Sequence, residues 1–330
     1  MSEFRQDLVS GEWIILAPER AKRPHEWPRR KPRVAAPKSK CPFEDLKRSG
    51  NWPPILLVPD EKNWKVAVIP NKYPALTHRH LCAQVLEKGP YKVAEGVGHH
   101  EVVIGRDHDR TLARMSPEDA LLLLRTIQSR YRSLAADDCV QYVQAFFNWG
   151  PTAGASIYHP HYQIIALPIV PPEIQHSLEG SEIYFLRHQK CAYCVMLAYE
   201  RKNRSRIIAE NSQAVVLAPY APLHRFEVRL FPKRHGAFFE DASLAEIKAT
   251  AGLLRDVLGR IAKHWGDPDP NFYIHSAPSG DPSRSDFYHW HLEIVPKDII
   301  SPGGGFELGT EIDINPMDPD RVAAMLRGRK

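Results

Sequence analysis

Residues 143–168 read VQAFFNWGPTAGASIYHPHYQIIALP: an apolar strand, a loop of small and turn-forming residues, and a second strand that opens with His-x-His. The alternating apolar side chains predict the strands, and the Gly, Pro and Ser residues predict the loop. Residues 270–296, PNFYIHSAPSGDPSRSDFYHWHLEIVP, repeat the pattern. The two His-x-His pairs lie 130 residues apart, which indicates a duplicated unit.

A second pair of matching segments lies upstream of each His-x-His. Residues 100–127 and 226–254 each contain an alternating apolar strand, then a histidine, then a helix. Cap chemistry marks both helix starts, because Ser116 and Ser243 are each followed by an acidic residue three positions on. Both helices are therefore predicted to begin soon after the histidine.

The ordered recurrence of these features indicates an internal duplication. The shared order is Cys, strand, His, helix, strand and His-x-His, with Cys41 opening the first copy and Cys191 with Cys194 opening the second. The sequence therefore predicts an α+β chain with a mostly antiparallel sheet and flanking helices. Its two similar halves, residues 1–168 and 169–330, are predicted to pack as one unit.

Composition places the chain among globular proteins, with 330 residues, 43% of them apolar and 25% charged. No apolar run approaches the ~18 to 20 residues of a membrane-spanning helix, and the opening residues lack a secretory signal. We therefore expect a cytoplasmic protein without a membrane partner. The net charge of +5 is too small for a dedicated nucleic-acid binder, although residues 19–33 form a basic run of a kind that usually faces solvent.

Polar side chains of the HPHYQ motif line one face of the second predicted strand. His159, His161 and Gln163 alternate along it, so each lies ~6.5 to 7 Å from the next. A polar outer face of an edge strand is the plain alternative. Phosphate chemistry is favoured instead, because an imidazole attacks phosphorus through one nitrogen while a carbonyl holds its other N–H. The amide of Gln163 would bind phosphate oxygens without adding charge, and the loop containing Gly154 and Ser156 would let backbone N–H groups approach an anion.

Cysteines and histidines recur in sets that suit zinc. Five cysteines is an odd number in a chain without an export signal, so metal or thiol chemistry is favoured over a disulfide framework. The predicted four-ligand sets are Cys191, Cys194, His235 and His289 in the second half, and Cys41, Glu44, His108 and His159 in the first. Unrelated buried cysteines are the alternative. Because each set is coordinatively full, we expect two structural zinc ions.

The remaining histidines have no partner at equivalent places in the repeat. We expect them at the surface and assign them no role; they are His78, His80, His99, His100, His188, His224 and His264.

The HPHYQ motif, the GPTAGAS loop, the ERAKRP segment from Glu19 and the NKYPAL segment from Asn71 together resemble the galactose-1-phosphate uridylyltransferase family of the histidine triad superfamily. The resemblance covers essentially the whole chain. It implies two histidine-triad-like halves, a homodimer, His161 as the nucleophile and His159 as a zinc ligand. The other implied contacts are Arg20, Arg23 and Asn71 to the nucleotide, Asn148, Gly154, Ser156 and Gln163 to the phosphates, and Phe306 and Glu311 to the sugar phosphate.

Two features depart from the uridylyltransferase pattern. Lys72 stands where an acidic residue is expected after the asparagine, and a cation there could reach a phosphate. The FELGT run from Phe306 and the second CxxC set are closer to a sister group that includes ADP-glucose phosphorylase. The resemblance therefore favours uridylyl transfer from UDP-glucose to galactose 1-phosphate, with ADP-glucose phosphorylase activity as the alternative.

The implied mechanism is ping-pong, with a nucleotidyl-His161 intermediate discharged by a sugar phosphate or by phosphate. Two further alternatives remain open. A histidine triad hydrolase would discharge the intermediate with water, but such enzymes usually carry a third histidine where this chain has Gln163. A zinc-stabilised nucleotide- or RNA-binding protein without turnover is disfavoured by the modest charge.

Overall fold

A computed structural model describes residues 1–22, 34–266, 268–280, 282–297 and 304–328. The strands are β1 (Glu3–Gln6), β2 (Trp13–Leu16), β3 (Leu56–Val58), β4 (Val66–Pro70), β5 (Leu86–Lys88), β6 (Tyr91–Val93), β7 (His99–Gly105), β8 (Tyr142–Asn148), β9 (His161–Leu167), β10 (Ile207–Glu210), β11 (Ala214–Leu217), β12 (Val228–Pro232), β13 (Asp269–His275), β14 (His291–Lys297) and β15 (Ile314–Asn315). The α-helices are α1 (Pro117–Ala135), α2 (Pro172–His188), α3 (Ala192–Asn203), α4 (Leu244–Trp265), α5 (Gly305–Thr310) and α6 (Pro319–Leu326). Short 3-10 helices cover Pro18–Lys22, Lys38–Lys40, Leu112–Arg114, Pro151–Ala153, Phe239–Asp241 and Pro282–Ser285.

Ten strands form one antiparallel sheet in the order β10-β11-β12-β14-β13-β8-β9-β7-β4-β3. Five strands from before residue 168 and five from after it meet where β8 pairs with β13, with Phe147 opposite Phe272. The α+β prediction with a mostly antiparallel sheet is confirmed. The division into two halves near residue 168 stays a prediction. Because β8 pairs with β13, both sets of strands belong to one continuous sheet.

Side-chain caps fix where the two long helices begin. Asp119 N–H donates to Ser116 Oγ at 3.1 Å, at the start of α1. At α4, Glu246 N–H donates to Ser243 Oγ at 3.3 Å and Ser243 N–H donates back to Glu246 Oε2 at 2.8 Å. A cap of this kind typically contributes about 1 kcal/mol. Both predicted helix starts are confirmed.

The two faces of the sheet have different coverings. Val103 of β7 packs in the large core with α1 and α4, whereas its neighbours Val102 and Ile104 pack on the other face with Phe43. Because strand side chains alternate between faces, His161 and Gln163 of β9 also lie on the face away from α1 and α4. The helix-covered face therefore supplies the core, and the opposite face carries the polar groups.

A smaller sheet lies outside the large one. β1 and β2 pair antiparallel, and β15 joins β2 in parallel, with Ile314 opposite Ile15. A two-stranded hairpin of β5 and β6 completes the strands of the described residues. Within those ranges, every helix is too short or too polar to span a bilayer.

One disulfide joins Cys82 and Cys139, with their Cα atoms 5.0 Å apart. It ties the chain that precedes β5 to the segment that follows α1. This bond departs from the expectation that the cysteines would be free or metal-bound. The other three cysteines have free thiols.

Candidate active site and metal clusters

His161 is the first residue of β9, which lies inside the sheet between β7 and β8. Its Nδ1–H donates to the carbonyl oxygen of His159 at 2.9 Å. Because a carbonyl only accepts, this bond places the proton on Nδ1 and leaves a lone pair on Nε2. Burial lowers the pKa of His161 from its usual value, so the imidazole stays neutral. The ring is therefore in the form that a nucleophile needs.

Gln163 is oriented by a histidine to which the sequence assigned no role. Ala75 N–H donates to His100 Nδ1 at 3.0 Å, so the His100 proton lies on Nε2 and is donated to Gln163 Oε1 at 2.9 Å. This bond occupies the amide oxygen of Gln163 and leaves its NH₂ group as a donor beside His161. Asn71 lies beside this group: its backbone N–H donates to the His100 carbonyl at 2.8 Å, and its Oδ1 accepts from Tyr73 N–H at 2.9 Å. His100 is half-buried, and its bond to Gln163 joins it to the predicted site although no role was predicted for it.

Asn148 is oriented in the same way by a residue from the second half of the chain. Asn271 Nδ2 donates to Asn148 Oδ1 at 2.8 Å and to the carbonyl of Ala153 at 2.9 Å. The Asn148 NH₂ group faces Gly154, where an added Cβ would lie 3.6 Å from Nδ2. Two amides, Asn148 and Gln163, thus present N–H donors on the face that carries His161.

The loop between β8 and β9 is braced by Asp269. Thr152 donates to Asp269 Oδ2 from its backbone N–H at 3.0 Å and also from its hydroxyl. Gly150 has a φ of +83°, and a Cβ there would lie 2.1 Å from Asp269 Oδ1, so only glycine fits. Asp269 and Asn271 were not predicted as site residues. No local motif marks them, because their role arises when β13 pairs with β8.

The first predicted metal set is brought together around Cys41. His159 Nδ1 lies 3.5 Å from Cys41 Sγ, and His108 Nδ1 lies 3.1 Å from Glu44 Oε1. Each histidine donates its other N–H to a backbone carbonyl, His108 to Ala36 at 2.8 Å and His159 to Gly105 at 2.7 Å. This outer bond is typical of zinc-bound histidines. Glu44 Oε1 and His108 Nδ1 are buried without a hydrogen-bond partner, which a metal ion would satisfy.

The second predicted set is also brought together. Cys194 Sγ lies 3.3 Å from His235 Nδ1 and 3.6 Å from His289 Nδ1, and His289 donates its Nε2–H to the Pro232 carbonyl at 3.0 Å. The hydrogen bond from Cys194 lowers the pKa of Cys191, which favours a thiolate there. In both sets the ligand atoms lie within 4.8 Å of one another. The donor types and the outer carbonyl bonds fit zinc.

Several residues that were predicted to bind the substrates have no described contact with the groups around His161. Among the described residues, no hydrogen bond, ion pair or ring contact joins Arg20, Phe306 or Glu311 to the groups around His161. Arg20 lies in the 3-10 helix after β2, and the other two lie at α5, which precedes β15. Arg23 lies outside the described residues.

Two remaining predictions concern exposed side chains. Ser156 lies exposed in the loop before β9. Lys72 Nζ donates to the Ser49 carbonyl at 3.2 Å, so in this conformation it does not extend towards a phosphate beside His161.

Comparison with known proteins places these features in a family. Residues 83–328 match the family described as Domain of unknown function (DUF4921). The chain is 38% identical to ADP-glucose phosphorylase from Arabidopsis thaliana over 98% of this chain and 92% of the relative, and 29% identical to galactose-1-phosphate uridylyltransferase from Thermotoga maritima over 99% and 98%. The crystal structure of A. thaliana ADP-glucose phosphorylase with bound ADP-glucose matches with a TM-score of 0.85 at 34% identity, covering 100% of both chains. The chain therefore belongs to the DUF4921 family, within the nucleotidyltransferases that include galactose-1-phosphate uridylyltransferase and ADP-glucose phosphorylase.

Proposed function

We propose that this chain moves a nucleoside monophosphate from a nucleotide sugar to a phosphate acceptor through a nucleotidyl-His161 intermediate. The observation that carries the proposal is the bond from His161 Nδ1–H to the His159 carbonyl, because it leaves Nε2 as the nucleophile. The oriented amides of Gln163 and Asn148 support it, since both are donors suited to phosphate oxygens.

In the first step, His161 Nε2 attacks the α-phosphorus, a P–N bond forms, and the bond from phosphorus to the bridging oxygen breaks. The sugar phosphate leaves with the electron pair of that oxygen. The His159 carbonyl stabilises the positive charge that develops on the imidazole, and the amides of Gln163 and Asn148 donate to the phosphoryl oxygens. In the second step, an oxygen of the acceptor phosphate attacks phosphorus and His161 leaves as a neutral imidazole.

Cys41, Glu44, His108 and His159 would hold one zinc ion, and Cys191, Cys194, His235 and His289 a second. Bound zinc would supply structural cross-links and no catalytic step, because neither set leaves an open position. Fixing His159 matters for the reaction, since its carbonyl orients His161.

Adenosine is the nucleotide that we favour, with inorganic phosphate as the acceptor. The support is the greater likeness to ADP-glucose phosphorylase, 38% against 29% for the uridylyltransferase of T. maritima. This reverses the order that the motifs alone suggested. Uridylyl transfer from UDP-glucose to galactose 1-phosphate remains the second candidate, because the uridylyltransferase likeness also spans 99% of the chain.

A homodimer is part of the proposal. It rests on the resemblance to the uridylyltransferase family. A cytoplasmic location also stays a prediction. In a reducing compartment, the Cys82–Cys139 bond would be expected to open.

Intact-mass measurement after incubation with a nucleotide sugar tests the proposal directly. The protein is mixed with ADP-glucose or UDP-glucose without an acceptor, and the released sugar phosphate is removed enzymatically. With ADP-glucose we expect an adenylyl adduct on the protein, and we expect this adduct to disappear when phosphate is added. A uridylyl adduct discharged by galactose 1-phosphate would select the second candidate. The absence of any adduct in protein that turns over would overturn the nucleotidyl-histidine mechanism.

Metal analysis tests the zinc assignment separately. We expect about two zinc ions per chain from the two four-ligand sets. Cys191→Ser should remove one ion and lower the melting temperature, with little direct effect on kcat. Active protein that holds no metal would contradict both assignments.

A further inference from the structure

A cluster of two histidines and an aspartate lies on the opposite face of β7 from His100. His99 Nε2 lies 2.8 Å from Asp137 Oδ2, and His78 Nδ1 lies 3.9 Å from the same oxygen. The rings of His78 and His99 stack with their centroids 4.4 Å apart. One potential ligand atom from each of the three residues lies within 4.8 Å of the others. The active-site chemistry uses none of them.

We propose that His78, His99 and Asp137 bind one divalent transition-metal ion. Two imidazoles and a carboxylate suit Zn²⁺, Co²⁺, Ni²⁺ or Cu²⁺, whereas Mg²⁺ and Ca²⁺ prefer oxygen ligands alone. The ion takes the place of the proton between His99 Nε2 and Asp137 Oδ2, and water completes its coordination. Because the His78 side chain is 48% exposed, an ion can enter and leave from solvent.

Two of the three ligands are already held in place. His99 lies on β7, opposite Ala166 of β9. Asp137 follows α1, and its Oδ1 accepts from Cys139 N–H at 2.9 Å, which leaves Oδ2 directed at the histidines. Such prior order reduces the entropy that metal binding must overcome.

The third ligand comes from a segment that backbone bonds already hold near β7. Thr77, next to His78, accepts from Gly98 N–H at 3.2 Å and donates to the Gly96 carbonyl at 3.0 Å. A bound ion would join this segment to the end of α1, close to the Cys82–Cys139 disulfide. His78 and His99 both lie in the segment from Asn71 to His100. A bound ion would therefore also restrict the movement of these two end residues, which belong to the candidate active site.

Hydrogen bonding and stacking alone offer the competing explanation for this cluster. Cobalt titration separates the two. Protein that retains its native zinc is freed of loosely bound metal without thiol reductants, so that the disulfide stays closed, and Co²⁺ is added. We expect one equivalent to bind with visible d–d absorption and without the thiolate-to-cobalt band that entry into either cysteine cluster would produce.

Variants assign this binding to the three residues. His99→Ala and Asp137→Asn should each weaken Co²⁺ binding at least tenfold. The control His188→Ala, an exposed histidine outside the cluster, should not change it. His78→Ala supplies a test at an exposed position, where misfolding is not a concern. Mg²⁺ should not compete.

The proposal fails if no Co²⁺ binds beyond the cysteine clusters, or if binding survives His78→Ala and His99→Ala unchanged. Hydrogen exchange gives an independent measurement on the wild-type protein. Added Zn²⁺ should slow amide exchange in residues 77–98, and an unchanged exchange pattern at saturating Co²⁺ or Zn²⁺ would overturn the cross-link.

Discussion

His161 and His291 occupy equivalent places, at the first residue of β9 and of β14. Each donates its Nδ1–H at 2.9 Å to the carbonyl of the residue two positions earlier. The bond that selects the tautomer is therefore present twice. Since we propose a nucleophile only at His161, the difference between the two histidines must lie in their surroundings.

Ring packing is the first difference. His291 stacks on Phe231 at 4.8 Å and on His275 at 4.6 Å, and the cavity beside it measures about 40 Å³, too small for a nucleotide. The ring contact of His161 is with Phe43 at 5.4 Å, in a tilted arrangement. One imidazole belongs to a packed aromatic cluster, whereas the other adjoins a glycine loop.

Charge is the second difference. Gln163 has its counterpart in Glu293, which accepts from Tyr273 Oη at 2.5 Å and lies 3.4 Å from Arg229. Although burial opposes ionisation, Arg229 holds the pKa of Glu293 below its usual value. A carboxylate there would repel a phosphate. In the proposed mechanism, the shared tautomer therefore supports transfer only at the histidine whose neighbours admit an anion.

The largest expected effect separates the two histidines by activity. His161→Ala should lower kcat by at least about 10⁴-fold, because the variant has no nucleophile. It should also form no nucleotidylated protein, while zinc content is kept and the unfolding midpoint falls less than in His291→Ala, because His161 has fewer ring contacts. Steady-state assays with wild-type-free protein and intact-mass measurement check this. Retained transfer activity would remove His161 from the mechanism.

The matched change in the second half should affect stability instead. His291→Ala removes a buried ring from the cluster with Phe231 and His275, and we expect a loss of about 3 kcal/mol in the free energy of unfolding. Denaturant unfolding measures it. Activity per folded molecule should stay within about threefold of wild type, and a large fall in kcat at full folding would show that His291 takes part in turnover.

Replacing Gln163, which lies two positions after His161, tests the role of charge. Gln163→Glu should lower kcat/KM about 10²-fold, because it removes a donor and adds negative charge beside the transferred phosphate. Gln163→Ala separates these causes, since it removes the donor alone. If Gln163→Glu were as active as wild type, charge could not explain why the second half lacks a nucleophile.

Acid pH should destabilise the protein through the same buried ring. Burial lowers the pKa of His291 well below its usual 6.5, so the unfolded chain binds more protons than the native state as pH falls through 6.5. The stabilising contribution is present above pH 6.5 and is lost below it. Between pH 7 and 5 one such histidine costs up to about 2 kcal/mol. His291→Phe should show a shallower loss, measured by denaturant unfolding at each pH; equal slopes would contradict this.

Local patterns predicted much of this architecture, and the reason is physical. The caps at Ser116 and Ser243 and the alternation of β9 depend on neighbours within a few residues. The metal sets followed from the repeat, because equivalent positions in a duplicated unit fold to equivalent places. Asp269, Asn271 and the Cys82–Cys139 bond could not be predicted in this way. Their partners are determined by which strands become neighbours, and no spacing in the sequence encodes that.

The position of His100 also depends on long-range contacts. Its replacement is expected to have the smallest effect on kcat. The aligned position in the second half is Phe226, which packs on Trp265 at 4.2 Å and offers no side-chain donor to Glu293. His100→Ala should free the Gln163 amide to rotate and lower kcat about tenfold, with a smaller change in KM. A double-mutant cycle gives the decisive readout. If His100 acts by orienting Gln163, adding His100→Ala to Gln163→Ala should change kcat by less than about twofold. An additive tenfold loss would mean that His100 acts directly, and the contrast between His100 and Phe226 would then concern substrate contact instead of amide orientation.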